Sequence, residues 1–157
     1  RTIRQEGQRM DTVTILFGTE SGNSEMVADD ISKSLEDNGI KNEVFDMEGY
    51  DVGDLGMQSM VIIVSSTYGE GDLPQTALPF FNALNDVKPD LSSTRFAAFG
   101  LGDSTYDTYN RGIATLVSAF IDLGATQVGE TGRHDADSGL DASDIAVLWA
   151  DDLFATA

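Results

Sequence analysis

The sequence predicts an α/β fold in which a doubly wound, five-stranded parallel sheet of strand order 2-1-3-4-5 is covered by helices on both faces. Short runs of strand-forming residues alternate with stretches whose apolar residues recur at helical spacing, and this alternation is typical of parallel sheets. The run Val61-Ile62-Ile63-Val64 is continuously β-branched, as expected of a strand that is buried on both faces. Right-handed crossovers then favour the order 2-1-3-4-5.

The predicted elements follow one another from Val13 to the last helix. Strands are predicted over residues 13–17, 41–46, 60–66, 96–101 and 126–128. The first helix covers 24–38, the second begins with Pro74 as its first helical residue, the third ends at Gly124, and the last extends past Leu153. Helical spacing predicts apolar faces formed by Val27, Ile31 and Leu35; by Leu78, Phe81 and Leu84; by Ile113, Leu116, Val117, Phe120 and Ile121; and by Ile145, Leu148, Trp149 and Leu153.

The length suits one domain. A chain of 157 residues, of which 41% are hydrophobic, can bury a sizeable core. Residues 1–10 are polar and aperiodic, so we expect them to be a linker or a remnant of protein production, with Met10 as the natural start and 11–157 as the domain. No apolar run approaches the ~20 residues of a membrane span. No charged-then-apolar leader opens the sequence, and we expect a cytoplasmic, monomeric protein.

Charge and residue usage exclude several kinds of partner and site. The chain carries 9 Lys and Arg against 27 Asp and Glu, a net charge of −18. This charge disfavours nucleic acid and anionic membranes and favours basic protein partners. The acidic residues could instead serve solubility or adaptation to a saline environment, and the composition does not distinguish these explanations from docking to a basic partner. The absence of Cys excludes disulfides and thiolate metal sites, and the single histidine, His134, excludes a multi-histidine metal centre.

The loop after the first strand offers neutral hydrogen-bond donors at the start of a helix. It carries hydroxyl groups at Thr19, Ser21 and Ser24 and the amide of Asn23. With the N–H groups and partial positive charge of a helix amino end, these donors could bind a phosphate without Lys or Arg. The loop matches neither the Gly-Lys-Ser/Thr phosphate loop nor Gly-x-Gly-x-x-Gly. Ordinary helix capping by the same residue types is the alternative.

The loops after the third and fourth strands place tyrosines among glycines and small polar residues. Residues 65–74 contain Tyr68, and residues 100–110 contain Tyr106. Glycines allow a close backbone approach, and tyrosine offers a flat face for stacking. Because ligands of such sheets bind at the carboxyl ends of the strands, these two loops could clamp a planar heterocycle. Surface tyrosines in two ordinary loops are the alternative.

Taken in order, three segments resemble the flavodoxin family: Gly18 to Ser24, Ser66 to Asp72 and Gly100 to Asn110. The resemblance is greatest to the FMN domains of diflavin reductases and to short single-domain carriers, and it runs from Val13 to about Leu153. It implies non-covalently bound FMN. The cofactor-binding residues that it implies are Thr19, Glu20, Ser21, Gly22, Asn23, Ser24, Ser66, Thr67, Tyr68, Gly69, Leu101, Gly102, Asp103, Ser104, Thr105, Tyr106, Asp107, Thr108, Tyr109 and Asn110.

Within this set, the resemblance implies separate roles for the three loops. The first would hold the phosphate, Tyr68 and Tyr106 would flank the two faces of the isoalloxazine, and backbone groups around 66–69 and 101–103 would bond its polar edge. Many free flavodoxins carry a tryptophan in the loop after strand three. Here the single tryptophan, Trp149, lies in the last helix, where its spacing predicts a core residue.

The resemblance implies an electron-transfer protein rather than an enzyme, with no catalytic or metal-binding residues. It would carry single electrons from an NAD(P)H-dependent flavin reductase to a haem or iron–sulfur enzyme with a basic surface. The alternative is an excised FMN domain of a diflavin reductase. A phosphoacceptor signalling receiver is disfavoured, because the places of its acidic pair, its Asp and its Lys hold Gly18-Thr19, Ser66-Thr67 and Gly129-Glu130.

Overall fold

The computed structural model describes residues 12–19, 22–67, 73–102, 111–135 and 138–155. Strands and helices alternate within these ranges, as the sequence predicts. The strands are β1 (Val13–Gly18), β2 (Asn42–Asp46), β3 (Met60–Ser66), β4 (Arg95–Gly102), β5 (Thr126–Gln127) and β6 (Gly132–Asp135). The helices are α1 (Asn23–Asp37), α2 (Ala77–Val87), α3 (Arg111–Asp122) and α4 (Ala142–Ala155), and a 3₁₀ helix covers Val52–Met57.

The parallel sheet has the predicted order β2-β1-β3-β4-β5. The sixth strand, β6, is an addition to the prediction and pairs with β4 beyond β5, so that the edge strand consists of two segments. The chain leaves the sheet between them at Gly129, whose φ of +69° lies in the left-handed region. It returns at Gly132, where a Cβ atom would lie 2.6 Å from Trp149 and 2.7 Å from Phe99. A glycine is therefore needed where β6 begins.

Two apolar cores cover the two faces of the sheet, as expected for helices on both sides. One contains the inner faces of α2, α3 and the 3₁₀ helix, and the other contains those of α1 and α4. Trp149 packs against the second core, with its ring centroid 5.4 Å from that of Phe99. Trp149 is half-buried, so it faces the core as predicted but is not among the buried core residues.

Four details of the predicted helices are wrong. Leu148 is 66% exposed, and Ala146 and Ala150 are buried instead, because small residues let α4 lie close against α1 and β6. Leu78 and Ile121 are 49% and 50% exposed, and Phe80 is the buried side chain near the start of α2. Pro74 precedes α2 rather than opening it: its carbonyl accepts the N–H groups of Ala77 and Leu78.

The predicted linker, residues 1–10, lies outside the described residues. Across the ranges that are described, no helix combines the length and the hydrophobicity needed to cross a bilayer.

Candidate functional site

The carboxyl ends of three neighbouring strands bring the predicted loops to one edge of the sheet. Gly18 of β1 is paired in register with Ser65 of β3, and Ser65 is paired with Gly100 of β4. This edge holds every predicted site residue that the structure describes: Thr19, Gly22, Asn23, Ser24, Ser66, Thr67, Leu101 and Gly102. The other predicted site residues lie outside the described residues: Glu20, Ser21, Tyr68, Gly69, Asp103, Ser104, Thr105, Tyr106, Asp107, Thr108, Tyr109 and Asn110.

The loop after β1 leads into the start of α1 without a side-chain cap. Gly22 occupies the N-cap position with φ +95°, a left-handed conformation that glycine adopts without a steric penalty. It has no side chain with which to cap the helix. The Thr19 hydroxyl instead accepts the N–H of Gly22 at 2.7 Å, which closes the loop on itself. Within the described residues, the capping alternative is therefore not realised, and the first N–H groups of α1 remain available to an anion.

Ser24 contributes a hydroxyl group that has no partner among the described residues. Its side chain is 0% exposed, and its Oγ atom forms no hydrogen bond to them. Leaving a buried hydroxyl unsatisfied costs about 1–3 kcal/mol. The atom lies in the first turn of α1, next to the uncapped helix start, so a bound phosphate oxygen would satisfy it. Neutral donors, a helix amino end and an orphaned hydroxyl together fit a phosphate group.

Thr76 holds this loop in place and is absent from the residues that the sequence predicts. Its hydroxyl accepts the N–H of Thr19 at 2.8 Å, and its own N–H donates to the Thr19 carbonyl at 3.3 Å. A threonine just before a helix normally caps that helix, but Thr76 forms no side-chain cap with α2. The local sequence therefore indicates a cap, whereas the tertiary contact uses the hydroxyl to fix the loop after β1.

Thr67 links the ends of β3 and β4 to the start of α3. Its N–H donates to the Leu101 carbonyl at 3.1 Å, and its hydroxyl accepts the N–H of Gly112 at 2.9 Å. A Cβ atom on Gly112 would lie 2.7 Å from the Ser66 carbonyl oxygen, so only glycine fits this approach. The Thr67 hydroxyl thus already has a structural partner and acts as a positioning group.

The second edge segment, β6, extends the site beside β4. Leu101 and Gly102 are paired in register with His134 and Asp135. Nε2 of His134 donates to the carbonyl of Leu140 at 2.6 Å, since a carbonyl oxygen can only accept. This bond ties the segment after β6 back to the strand. Nothing in the sequence pattern of 132–135 predicts a strand, so β6 itself becomes visible only in the structure.

Comparison with known proteins agrees with this arrangement. The family model for flavodoxin matches residues 15–149. Protein MioC of Escherichia coli O157:H7 is 38% identical over 122 residues, which cover 78% of this chain and 82% of MioC. The sulfite reductase [NADPH] flavoprotein alpha-component of Neisseria meningitidis serogroup C (strain 053442) is 35% identical over 145 residues, which cover 92% of this chain and 23% of that protein. A cysteine-to-serine mutant of flavodoxin from Pseudomonas aeruginosa superposes with a TM-score of 0.83 at 29% identity, covering 92% of this chain and 97% of the flavodoxin.

Fold, site and similarity agree on the cofactor. FMN carries a terminal phosphate, and the uncapped start of α1 with the orphaned Ser24 hydroxyl suits that group. The family match covers most of the chain, and the matched flavoprotein contains a region of the same kind. The chain is therefore an FMN-binding member of the flavodoxin family.

Proposed function

We propose that this flavodoxin passes single electrons from an NAD(P)H-dependent flavin reductase to a haem or iron–sulfur enzyme with a basic surface. The observation that carries the proposal is the buried Ser24 hydroxyl, unpartnered among the described residues, beside the uncapped start of α1, which suits the phosphate of FMN. Bound FMN supplies the one-electron redox chemistry. The remaining work of the chain is to bind the cofactor, to keep its loops in place and to attract the partner.

Binding is divided among a few groups. The Ser24 hydroxyl and the first N–H groups of α1 would hold the phosphate, with Thr19 closing the loop around it. Thr76 would keep that loop against the start of α2. Backbone groups of Ser66, Thr67, Leu101 and Gly102 would lie beside the ring system, at the positions that the family resemblance implies.

An acidic groove along β2 supports a basic partner. It encloses about 510 Å³ and is lined by an aromatic pair, Phe45 and Tyr50, whose ring centroids are 5.4 Å apart. None of the described residues that line it is Lys or Arg. Its carboxylates belong to Glu43, Asp46, Glu48, Asp51 and Asp54. The groove runs from Thr14 and Gln58, near the starts of β1 and β3, to Asp46 and Glu48 at the carboxyl end of β2. Because β2 ends at the same edge of the sheet as β1, the carboxylates of Asp46 and Glu48 lie nearest the cofactor site and would steer a positively charged protein toward it.

Stopped-flow kinetics with a basic haem protein, cytochrome c, test the proposal. The reduced FMN-loaded protein is expected to reduce cytochrome c at a rate that falls as ionic strength rises, because salt screens the attraction. Glu48→Lys, just after the end of β2, should slow association and weaken the salt dependence. Asp122→Lys makes the same charge change at the end of α3, away from this edge, and should have little effect. A rate that ignores ionic strength in the unsubstituted protein would refute electrostatic docking.

The excised FMN domain of a diflavin reductase remains a second candidate. It is favoured by 35% identity to the sulfite reductase flavoprotein component across 92% of this chain, which corresponds to only 23% of that protein's length. The mass of the natural protein in its source cells separates the two candidates, since a carrier would be of domain size. Monomeric state and cytoplasmic location remain predictions, which sedimentation and cell fractionation test.

A further inference from the structure

A second cavity lies at the opposite edge of the sheet, where the strands begin. It encloses about 300 Å³, at the lower end of the range for small-molecule pockets. Its apolar walls are provided by strand residues and by the last turns of α4, and include Val13, Met60, Val128, Leu153 and Phe154. Since the predicted cofactor loops follow the other ends of these strands, the cavity is separate from the FMN site.

One cationic side chain stands among these apolar walls. Val13, Met60 and Arg95 are consecutive partners across β1, β3 and β4. Side chains two residues apart on a strand share a face, and Ala97 of β4 is buried in the core between the sheet and helices α1 and α4. Arg95, which is exposed, therefore lies on the same face of the sheet as that core and at its margin. Its aliphatic stem can line the cavity while its guanidinium lies at the mouth.

The Arg95 guanidinium has no carboxylate partner within the described ranges. Its side chain forms no hydrogen bond or ion pair there, although the chain carries 27 acidic residues. Its backbone N–H donates to the carbonyl of Ser59, which also lines the cavity. The Ser59 hydroxyl likewise forms no hydrogen bond to a described residue. An apolar pocket bordered by two donors that no described residue uses is the arrangement expected of a ligand site.

We propose that this cavity binds a small monocarboxylate with an apolar chain. The planar guanidinium matches a carboxylate in shape and charge and can donate two parallel hydrogen bonds to it. The apolar walls would take the hydrocarbon chain, and the Ser59 hydroxyl could donate to the same carboxylate. The net charge of −18 repels anions in general, so binding of a carboxylate here would depend on Arg95. The proposal depends on neither FMN nor a redox partner.

A different role for Arg95 would be to stabilise the carboxyl end of α4, where a cation interacts favourably with the helix dipole. The last turn of α4 holds no basic residue, so this role predicts a loss of stability when Arg95 is replaced. It predicts no selectivity for a carboxylate over an uncharged ligand. The two roles can therefore be separated by experiment.

Methyl NMR of the full-length, FMN-loaded protein tests the proposal, with octanoate as the probe and 1-octanol as an uncharged control. Octanoate is expected to shift the methyl signals of Val13, Val128 and Leu153 in a saturable manner. It should bind about tenfold or more tightly than 1-octanol, as a charge-assisted hydrogen bond implies. In Arg95→Gln this advantage should disappear. Val128→Phe, which fills the cavity and leaves Arg95 in place, should weaken both ligands.

Several results would overturn the proposal. Octanoate that causes no saturable shift would exclude the site, and Val128→Phe keeps this test open if Arg95→Gln fails to fold. Equal affinities for octanoate and 1-octanol would exclude recognition of the carboxylate. Unchanged octanoate affinity in Arg95→Gln, together with a lower melting temperature, would assign Arg95 to the end of α4 instead.

Discussion

The Thr67 hydroxyl accepts a hydrogen bond of 2.9 Å from the N–H of Gly112. Because the Thr67 N–H also donates to the Leu101 carbonyl at 3.1 Å, one residue connects the end of β3, the end of β4 and the start of α3. The loops that follow these two strands are the ones that the family resemblance assigns to the flavin ring. The Thr67 backbone thus joins the ends of β3 and β4, and its side chain joins the end of β3 to the start of α3.

Thr67→Val should separate the effect of the Thr67–Gly112 hydrogen bond from that of side-chain packing. Valine has a similar shape but leaves the Gly112 N–H without its acceptor, so we expect a loss of about 1–2 kcal/mol in the free energy of unfolding. FMN affinity should fall as well, because the loops lose their common anchor. Urea denaturation and fluorescence titration with FMN measure the two effects. Thr67→Ser retains the hydroxyl and should restore FMN affinity. Equal FMN binding by Thr67→Val and the unsubstituted protein would mean that the Thr67 hydroxyl does not position the FMN site.

Ser24→Ala should weaken cofactor binding without destabilising the FMN-free protein. In the FMN-free protein the substitution removes a buried hydroxyl that has no partner among the described residues, so the free energy of unfolding should be unchanged or higher. FMN should bind about tenfold more weakly, because one hydrogen bond to its phosphate is lost. Ser118→Ala, on the exposed side of α3, is the matched control and should change neither quantity. Undiminished FMN affinity in Ser24→Ala would show that the Ser24 hydroxyl does not bind the phosphate.

The central strands of the sheet could be predicted from local sequence patterns. The edge strand β6 and the contribution of Thr76 to the site could not. The strand predicted over residues 60–66, which contains the β-branched run Val61 to Val64, has the bounds that the structure shows. Such a run is typical of a strand that is buried on both faces. The strand β6 has no such pattern, since its start depends on the packing of Trp149 against Gly132. Thr76 escapes prediction for a related reason: its hydroxyl bonds to Thr19, which is distant in sequence.

The helix faces show the limit of reading large apolar residues as the core. Leu148 fits the helical spacing of α4 but is exposed, and Ala146 and Ala150 form the buried face. The close approach of α4 to α1 and β6 favours small side chains, and periodicity alone does not reveal how close two elements lie. For the flavin ring, the contacts of Tyr68 and Tyr106 stay predictions from the family resemblance.

Gly132→Ala should destabilise the second edge segment of the sheet. Its Cβ atom would lie 2.6 Å from Cδ1 of Trp149 and 2.7 Å from Cδ2 of Phe99, so β6 or the indole must move. Forcing an extra carbon into a packed region typically costs about 1–3 kcal/mol, and the tryptophan emission and near-ultraviolet circular dichroism should change with it. The control is Gly53→Ala, in the 3₁₀ helix far from Trp149, where the nearest atom to the new Cβ is a side-chain oxygen at 3.1 Å. Unaltered tryptophan spectra in Gly132→Ala would contradict this packing.

Tyr50 should make stability depend on pH in the alkaline range. Burial raises the pKa of its phenol above the usual value of 10.0, and the carboxylates of Asp54, Asp51 and Glu43 raise that pKa further. Below pH 10 the phenol is protonated in both folded and unfolded chains, so its contribution to stability is fully present. As the pH rises from 10 through the higher pKa of the folded protein, the unfolded chain ionises first and this contribution is lost. Urea denaturation at pH 9 and pH 11 should therefore show a steeper decline for the unsubstituted protein than for Tyr50→Phe. Asp54→Asn keeps the phenol but removes one carboxylate and should give an intermediate decline. Equal declines in all three proteins would mean that the pKa of Tyr50 is not raised in the folded protein, and a decline in Asp54→Asn equal to that of the unsubstituted protein would mean that Asp54 does not act on it.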